Sequence, residues 1–204
     1  MKPPLIPPMA RDLVQAALAA CDGIAFTELA RCPSCGGGVS GHDTVERRFA
    51  VIREDGKDRV IRVKVKRFTC KECGKLSHAE EPFYPDTRLG SPVVDLCRTL
   101  SAGRSSSRAA TILGTMGVIV DRTSCLKYGS QPLPVAATAD VFGLKLPLSV
   151  LAIDSLAARA GEGGRIKGAE LLVACGLPSA ERAAPEGGLP AKERDERDEE
   201  EEEE

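Results

Sequence analysis

RCPSCGGG, residues 31–38, and CKECGK, residues 70–75, are the stretches on which the reading of this 204-residue chain turns. Each carries two cysteines separated by two residues and followed by glycine: Cys32 and Cys35 in the first, Cys70 and Cys73 in the second. Two intervening residues let a tight turn aim both thiolates at one ion, and the glycine lets backbone amides fold back toward the sulfurs. Four thiolates form a closed tetrahedral shell, which suits Zn2+ better than iron and leaves no open position for a catalytic water. The expectation is a structural zinc on Cys32, Cys35, Cys70 and Cys73. With 3% aromatic residues and no Trp, so small a unit would not hold a core without it.

The residues between the pairs support this. VERRFAVIR (45–53) and RVIRVKVKRF (59–68) are β-rich runs parted by the turn signal EDGKD, a hairpin that brings the two cysteine pairs together. The second run alternates, with Ile61, Val63 and Val65 on one face and Arg62, Lys64 and Lys66 on the other. Three cations in a row with no acid between them are candidates for phosphate contact.

Downstream, Ser91-Pro92 reads as a helix start, with Ser91 as N-cap and Val93, Val94, Leu96, Cys97 and Leu100 inward. Residues 105–116 form a second helix, Gly117 and Val118 a turn, and Asp121 caps a third helix over 122–128. This is the layout of a helix-turn-helix, with Ala109, Ala110 and Gly114 as the small residues where the helices cross. Arg122, Thr123 and Ser124 then face the major groove of double-stranded DNA, while Lys127, Arg104 and Arg108 reach phosphates. QPLPVAATAD (131–140) reads as linker-like, LPLSVLAID (146–154) as a buried strand ending in an acid, and 168–175 as a helix. Upstream, the prolines of residues 1–10 exclude regular structure, and RDLVQAALAA (11–20) gives one short amphipathic helix. Cys97, Cys125 and Cys175 are expected as small buried hydrophobes, and the spacings of Cys21, His42 and His78 do not suggest a second site.

The formal net charge of -2 averages unlike regions. Residues 187–204 hold three basic and ten acidic residues, whereas residues 1–186 hold 25 basic and 20 acidic. A basic body with an acidic tail points toward nucleic acid rather than toward an acidic enzyme. No stretch is apolar enough for a membrane span or a signal peptide, so the expected location is the cytoplasm, associated with the nucleoid; in that reducing compartment paired cysteines serve metals sooner than disulfides.

CPSCGG, hairpin, RFTCKECGK, a Pro-containing spacer and SPVVDLCRTLSAGRSSSRAATILGTMGVIVDRTSCLKYG, taken in order, resemble the N-terminal DNA-binding region of bacterial and archaeal insertion-sequence transposases, where a zinc ribbon precedes a helix-turn-helix. The resemblance covers about residues 30–130. The family's third helix commonly carries Ser/Thr, an aliphatic residue and a basic-aromatic pair; Ser124, Cys125, Lys127 and Tyr128 stand in comparable places, with Cys and Tyr as departures. The resemblance also implies that VLAID, ending at Asp154, is a remnant of the first strand of an RNase-H-like catalytic domain, whose three carboxylates hold two metal ions. Only 50 residues follow Asp154, much of them loop or glutamate run, so the other two acids and the rest of the sheet are missing.

The resulting expectation is an α+β chain. It comprises a Pro-rich start with a short helix (1–29), a β zinc ribbon (30–80), a three-helix helix-turn-helix unit (88–130), a linker with a partial α/β, RNase-H-like remnant (131–178) and a disordered acidic tail (179–204). Its expected function is zinc-dependent binding of double-stranded DNA, with a homodimer left open and without catalysis. The alternative is a transcription regulator built from the same two modules.

Overall fold

In the computed structural model, which describes residues 6–161 and 163–177, the chain enters α1 (Pro8–Ala19) at Pro8 rather than Arg11. Pro7 is the N-cap and Pro8 the first helical residue, positions at which no intrahelical N–H is needed. The prolines therefore start the helix instead of excluding it through residue 10. The expected disordered tail, 179–204, lies outside the described residues.

After β1 (Ala25–Phe26) come the two dominant strands, β2 (Val39–Glu54) and β3 (Lys57–Cys70), both longer than the runs read from sequence. They turn at Asp55 and Gly56, which both have positive φ, 49° and 75°, as the tightest hairpin turns require. The antiparallel register runs from Glu54 opposite Lys57 to Val39 opposite Cys70, with irregularities at Gly41/Thr44 and Arg48/Ala50. β1 pairs parallel to β3 at Lys64 and Val65, and β4 (Leu76–His78) pairs antiparallel to its cysteine end. Because β2 fills one edge of β3 along its length, β1 and β4 share the other, completing a four-stranded sheet. The expected alternation along β3 is present: Ile61, Val63 and Val65 are fully buried, Arg62 and Lys64 are exposed and Lys66 is half-buried.

Three helices follow: α2 (Ser91–Ser101), α3 (Ser106–Thr115) and α4 (Arg122–Ser130). Ser105 caps α3 by accepting the Arg108 N–H, and Asp121 caps α4 by accepting the Ser124 N–H at 2.8 Å. The start of α2 differs from the expectation: Gly90 is the N-cap and Ser91 lies inside the helix with its side chain buried. Close approach explains the change. The Gly90 N–H bonds the Phe49 carbonyl at 2.8 Å, and a Cβ at Gly90 would lie 2.2 Å from the Phe49 ring. Gly114 is likewise not a crossing residue, since it is exposed with nothing within 4 Å of where its Cβ would be; Ala109 and Leu113 make the buried side of α3.

The helical unit is sewn to the sheet. The turn between α3 and α4 pairs with the outer edge of β2, where the Arg53 N–H bonds the Gly117 carbonyl and the Ile119 N–H the Val51 carbonyl, each at 2.8 Å. Gly117 has φ +75° and a Cβ there would strike Gln15 of α1, whose amide holds the Arg53 carbonyl at 3.0 Å. A single buried cluster consequently runs from Val14 of α1 through Phe49, Ile52 and Ile61 of the sheet to Leu113 and Cys125 of the helices.

The C-terminal third departs most from the sequence reading. Arg98 donates to the Leu133 and Pro134 carbonyls and pins the first part of the expected linker, which continues as a hairpin of β5 (Thr138–Val141) and β6 (Leu144–Pro147). Of the stretch expected as a strand over 146–154, Leu146 and Pro147 end β6 and the rest is the start of α5 (Leu148–Ala160), followed by α6 (Gly168–Ala174). Val150 and Ile153 recur at helical spacing, and the pattern continues through LAARA, beyond the window that suggested a strand. Asp154 accordingly sits in mid-helix, half-buried, and a two-stranded antiparallel ribbon with helices stands where an α/β remnant was expected.

One buried carboxylate ties these parts together. Asp95 of α2, 1% exposed, accepts the Tyr84 hydroxyl and the Ser149 hydroxyl of α5, each at 2.9 Å. Desolvation raises its pKa despite both bonds. The folded state thus binds the proton more tightly than the unfolded chain, and stability falls as pH rises from the unfolded value of about 3.9 through the raised folded one. Asp95→Ala should cost about 1–3 kcal/mol at neutral pH by orphaning the buried Ser149 hydroxyl and the half-buried Tyr84 hydroxyl. Asp95→Asn should flatten the pH dependence of urea midpoints across that window; a slope identical to wild type would contradict the assignment.

Candidate metal centre and flanking basic surfaces

The hairpin register brings the cysteine pairs to one end of the sheet. Cys70 closes β3 opposite Val39, and the 32–37 turn packs against it, so that the four Sγ atoms of Cys32, Cys35, Cys70 and Cys73 all lie within 4.8 Å of one another. Cys32 and Cys73 are 3.8 Å apart and Cys35 and Cys70 3.5 Å. The two turns repeat one another. The Cys32 N–H bonds the Gly37 carbonyl at 2.9 Å and the Cys70 N–H the Lys75 carbonyl at 3.0 Å, while Gly36 and Gly74 donate back to the carbonyls of Cys32 and Cys70. Gly36 and Gly74 have φ of +74° and +69°, which is why glycine follows each pair.

Local dipoles favour thiolates. The Ser34 backbone N–H, assisted by those of Cys35 and by the neighbouring thiols, brings the Cys32 thiol down to about 6 against desolvation. Backbone N–H groups of Cys73 and Glu72 lower Cys70, and both approach its sulfur at 3.5 and 3.4 Å. Cys35 accepts help from the Gly37 N–H but is pushed up to about 12 by sharing hydrogen bonds with Cys70 and Cys73. Four thiols this close cannot all ionise without a cation between them. The cluster can hold a metal ion, and its four sulfurs complete the shell.

Glu72 was not legible as part of this centre. Its carboxylate crosses to the other turn, accepting the Gly38 N–H at 3.3 Å and lying where a Cβ on Gly37 would be, 2.4–2.7 Å away. The triple glycine of residues 36–38 thus serves one positive-φ turn and one close approach. The other cysteines are buried; Cys97 and Cys125 face each other at 4.0 Å between α2 and α4, as small buried side chains at a helix contact. Among the described residues Cys21, His42 and His78 form no metal cluster.

The residues read as DNA contacts fall on two surfaces. Arg122, Thr123 and Lys127 of α4 and Arg104 and Arg108 near α3 are exposed. Ser124 is not free to read a base: its hydroxyl donates to Asp121 at 2.7 Å, closing the cap that also lowers the Asp121 pKa. Lys127 reaches the Asp86 carbonyl at 3.3 Å. Arg62, Lys64 and Lys66 lie on the face of the sheet turned away from Ile61, Val63 and Val65, and β2 adds Arg48, directly opposite Arg62. Sequence alternation missed Arg48 because the irregularity at Arg48/Ala50 interrupts the period of two. A groove of about 900 Å³ between β1 and the 161–168 loop contains none of the expected site residues.

No protein-family model matches the chain, and no curated protein or solved structure is significantly similar to it. Among the described residues no helix is long and apolar enough to cross a membrane. Cys70→Ser or Cys73→Ser should abolish metal binding, read by elemental mass spectrometry of the purified protein, and collapse the amide chemical-shift dispersion of residues 30–75. A variant that kept both its metal and its dispersion would contradict the four-thiolate centre.

Proposed function

We propose that the chain is a zinc-dependent protein that binds double-stranded DNA and does not itself cut or join strands, resembling the recognition end of an insertion-sequence transposase. Zinc is favoured by the donor set: a Zn–S distance of about 2.3 Å implies tetrahedral S···S edges near 3.8 Å, against 3.8 Å for Cys32–Cys73, 3.5 Å for Cys35–Cys70 and no more than 4.8 Å for any pair. In this reading the ion fixes the two turns and takes no part in chemistry, because all four positions belong to sulfur.

The observation that carries DNA binding is the open face of the sheet. Arg47, Arg53, Arg59 and Arg67 each pair with a carboxylate, whereas Arg48, Arg62, Lys64 and Lys66 have no such partner among the described residues. Desolvating an unpaired cation against phosphate releases counterions without first breaking an ion pair. Arg122 and Thr123, exposed in the first turn of α4, are the candidates for reading base edges, and Arg104, Arg108 and Lys127 for phosphates. Asp154 takes no part, being a lone half-buried carboxylate in mid-helix whose pKa is raised by desolvation.

Duplex binding measured by fluorescence anisotropy over 50–300 mM salt tests this. Replacing Arg62, Lys64 and Lys66 together by Gln should lower the slope of log affinity against log salt by about 0.9 for each phosphate no longer neutralised, weakening all sequences alike. Arg122→Ala should instead relax discrimination among selected sites. No affinity for any duplex at 50 mM salt would overturn the reading.

A further inference from the structure

We propose that the acidic run 193–204 of this chain occupies the open basic face of its own sheet, competing there with nucleic acid. The inference concerns regulation of the surface assigned above, and it rests on that reading for its consequence but not for the contact itself. Three observations carry it. Charge is complementary: residues 193–204 hold ten carboxylates and two arginines, while the open face presents Arg48, Arg62, Lys64 and Lys66, with Glu46 among them and Asp22, paired to Arg59, accepting the Arg62 backbone N–H at its margin. Those four cations lack the ion pairs that every neighbouring arginine of the hairpin makes, so the face is left uncompensated among the described residues.

The third observation is where the chain leaves the fold. α6 packs its first residue, Gly168, onto β1 so closely that a Cβ would lie 2.5 Å from the Ala25 carbonyl oxygen, and Ala25 is paired with Lys64. The helix is seven residues long, about 10 Å at 1.5 Å per residue, and Leu177 packs back onto the core just after it. The described chain therefore ends about one short helix from the basic row. The 16 residues from Leu177 to Glu193 can span at most about 55 Å, enough to lay the acidic run along Lys64 and Lys66 without strain. Tethering at that distance holds the carboxylates at an effective concentration of order mM, which a nucleic acid must displace. Screening sets in over about 10 Å at 0.1 M salt, so the contact is salt-labile.

Zero-length carbodiimide cross-linking of the full-length protein, followed by peptide mass spectrometry of the monomer fraction, tests the contact with no nucleic acid present. Lys64 and Lys66 should link to residues 193–204 at least tenfold more than Lys127 and Lys145, and 0.5 M NaCl should remove the preference. Even links to all exposed lysines, or links confined to cross-linked dimers, would overturn it. In the full-length chain, replacing Glu199 to Glu204 by Gln should tighten duplex binding several-fold at 50 mM salt. Preferential links with unchanged or absent duplex binding would leave the contact standing and remove its competitive role; duplex binding without preferential links would remove the contact and leave the DNA reading intact.

Discussion

The register between β2 and β3 governs nearly everything else in this molecule. Setting Val39 opposite Cys70 places the second cysteine turn beside the first, and the same pairing points Ile61, Val63 and Val65 at the helices and Arg62, Lys64 and Lys66 away from them. A strand has a period of two, so a slip of one residue would bury the cations, expose the valines and separate the thiols together. Metal centre, core and charged face are thus one choice made once. A bound ion would add its binding energy to that one register and to no other, which makes it a register lock as much as a staple.

The helices depend on the same strands through backbone contacts rather than through a separate core. Phe49, Val51 and Arg53 bond to Gly90, Ile119 and Gly117 along the outer edge of β2, and Asp95 gathers Tyr84 and Ser149 at the other side of α2. Glycine is required at two of these points for different reasons: at Gly90 by the Phe49 ring, and at Gly117 by its φ of +75°. Close approach at Gly90, together with the backbone bonds along β2, leaves little room for the helical unit and the sheet to move independently.

Much of this was legible in the sequence where a signal is local. The two Cys-x-x-Cys-Gly turns, the alternation of RVIRVKVK, the Asp121 cap and the Ser105 start each depend on neighbours a few residues away. What the sequence hides depends on partners elsewhere in the fold. Ser91 looks like an N-cap until Phe49 claims Gly90; Ser124 looks available until Asp121 takes its hydroxyl as well as its amide; Glu72 reads as solvated until the opposite turn receives it. The apolar run ending at Asp154 is too short a window to show a period of 3.6, and Pro7 and Pro8 look like breakers of a helix that they begin.

The stitching of β2 also dictates an order of events in folding. During synthesis the hairpin can close once residue 70 is available, yet the partners of its outer edge at Gly90, Gly117 and Ile119 arrive 20 to 49 residues later. Until then Phe49, Val51 and Arg53 present unpaired backbone beside an apolar surface, the arrangement that recruits stray strands. The bulge beside Arg48 and the cation itself stand at that edge, interrupting the flat ladder another chain would need. The irregularity that hid Arg48 from the sequence pattern is, in the nascent chain, a guard against mispairing.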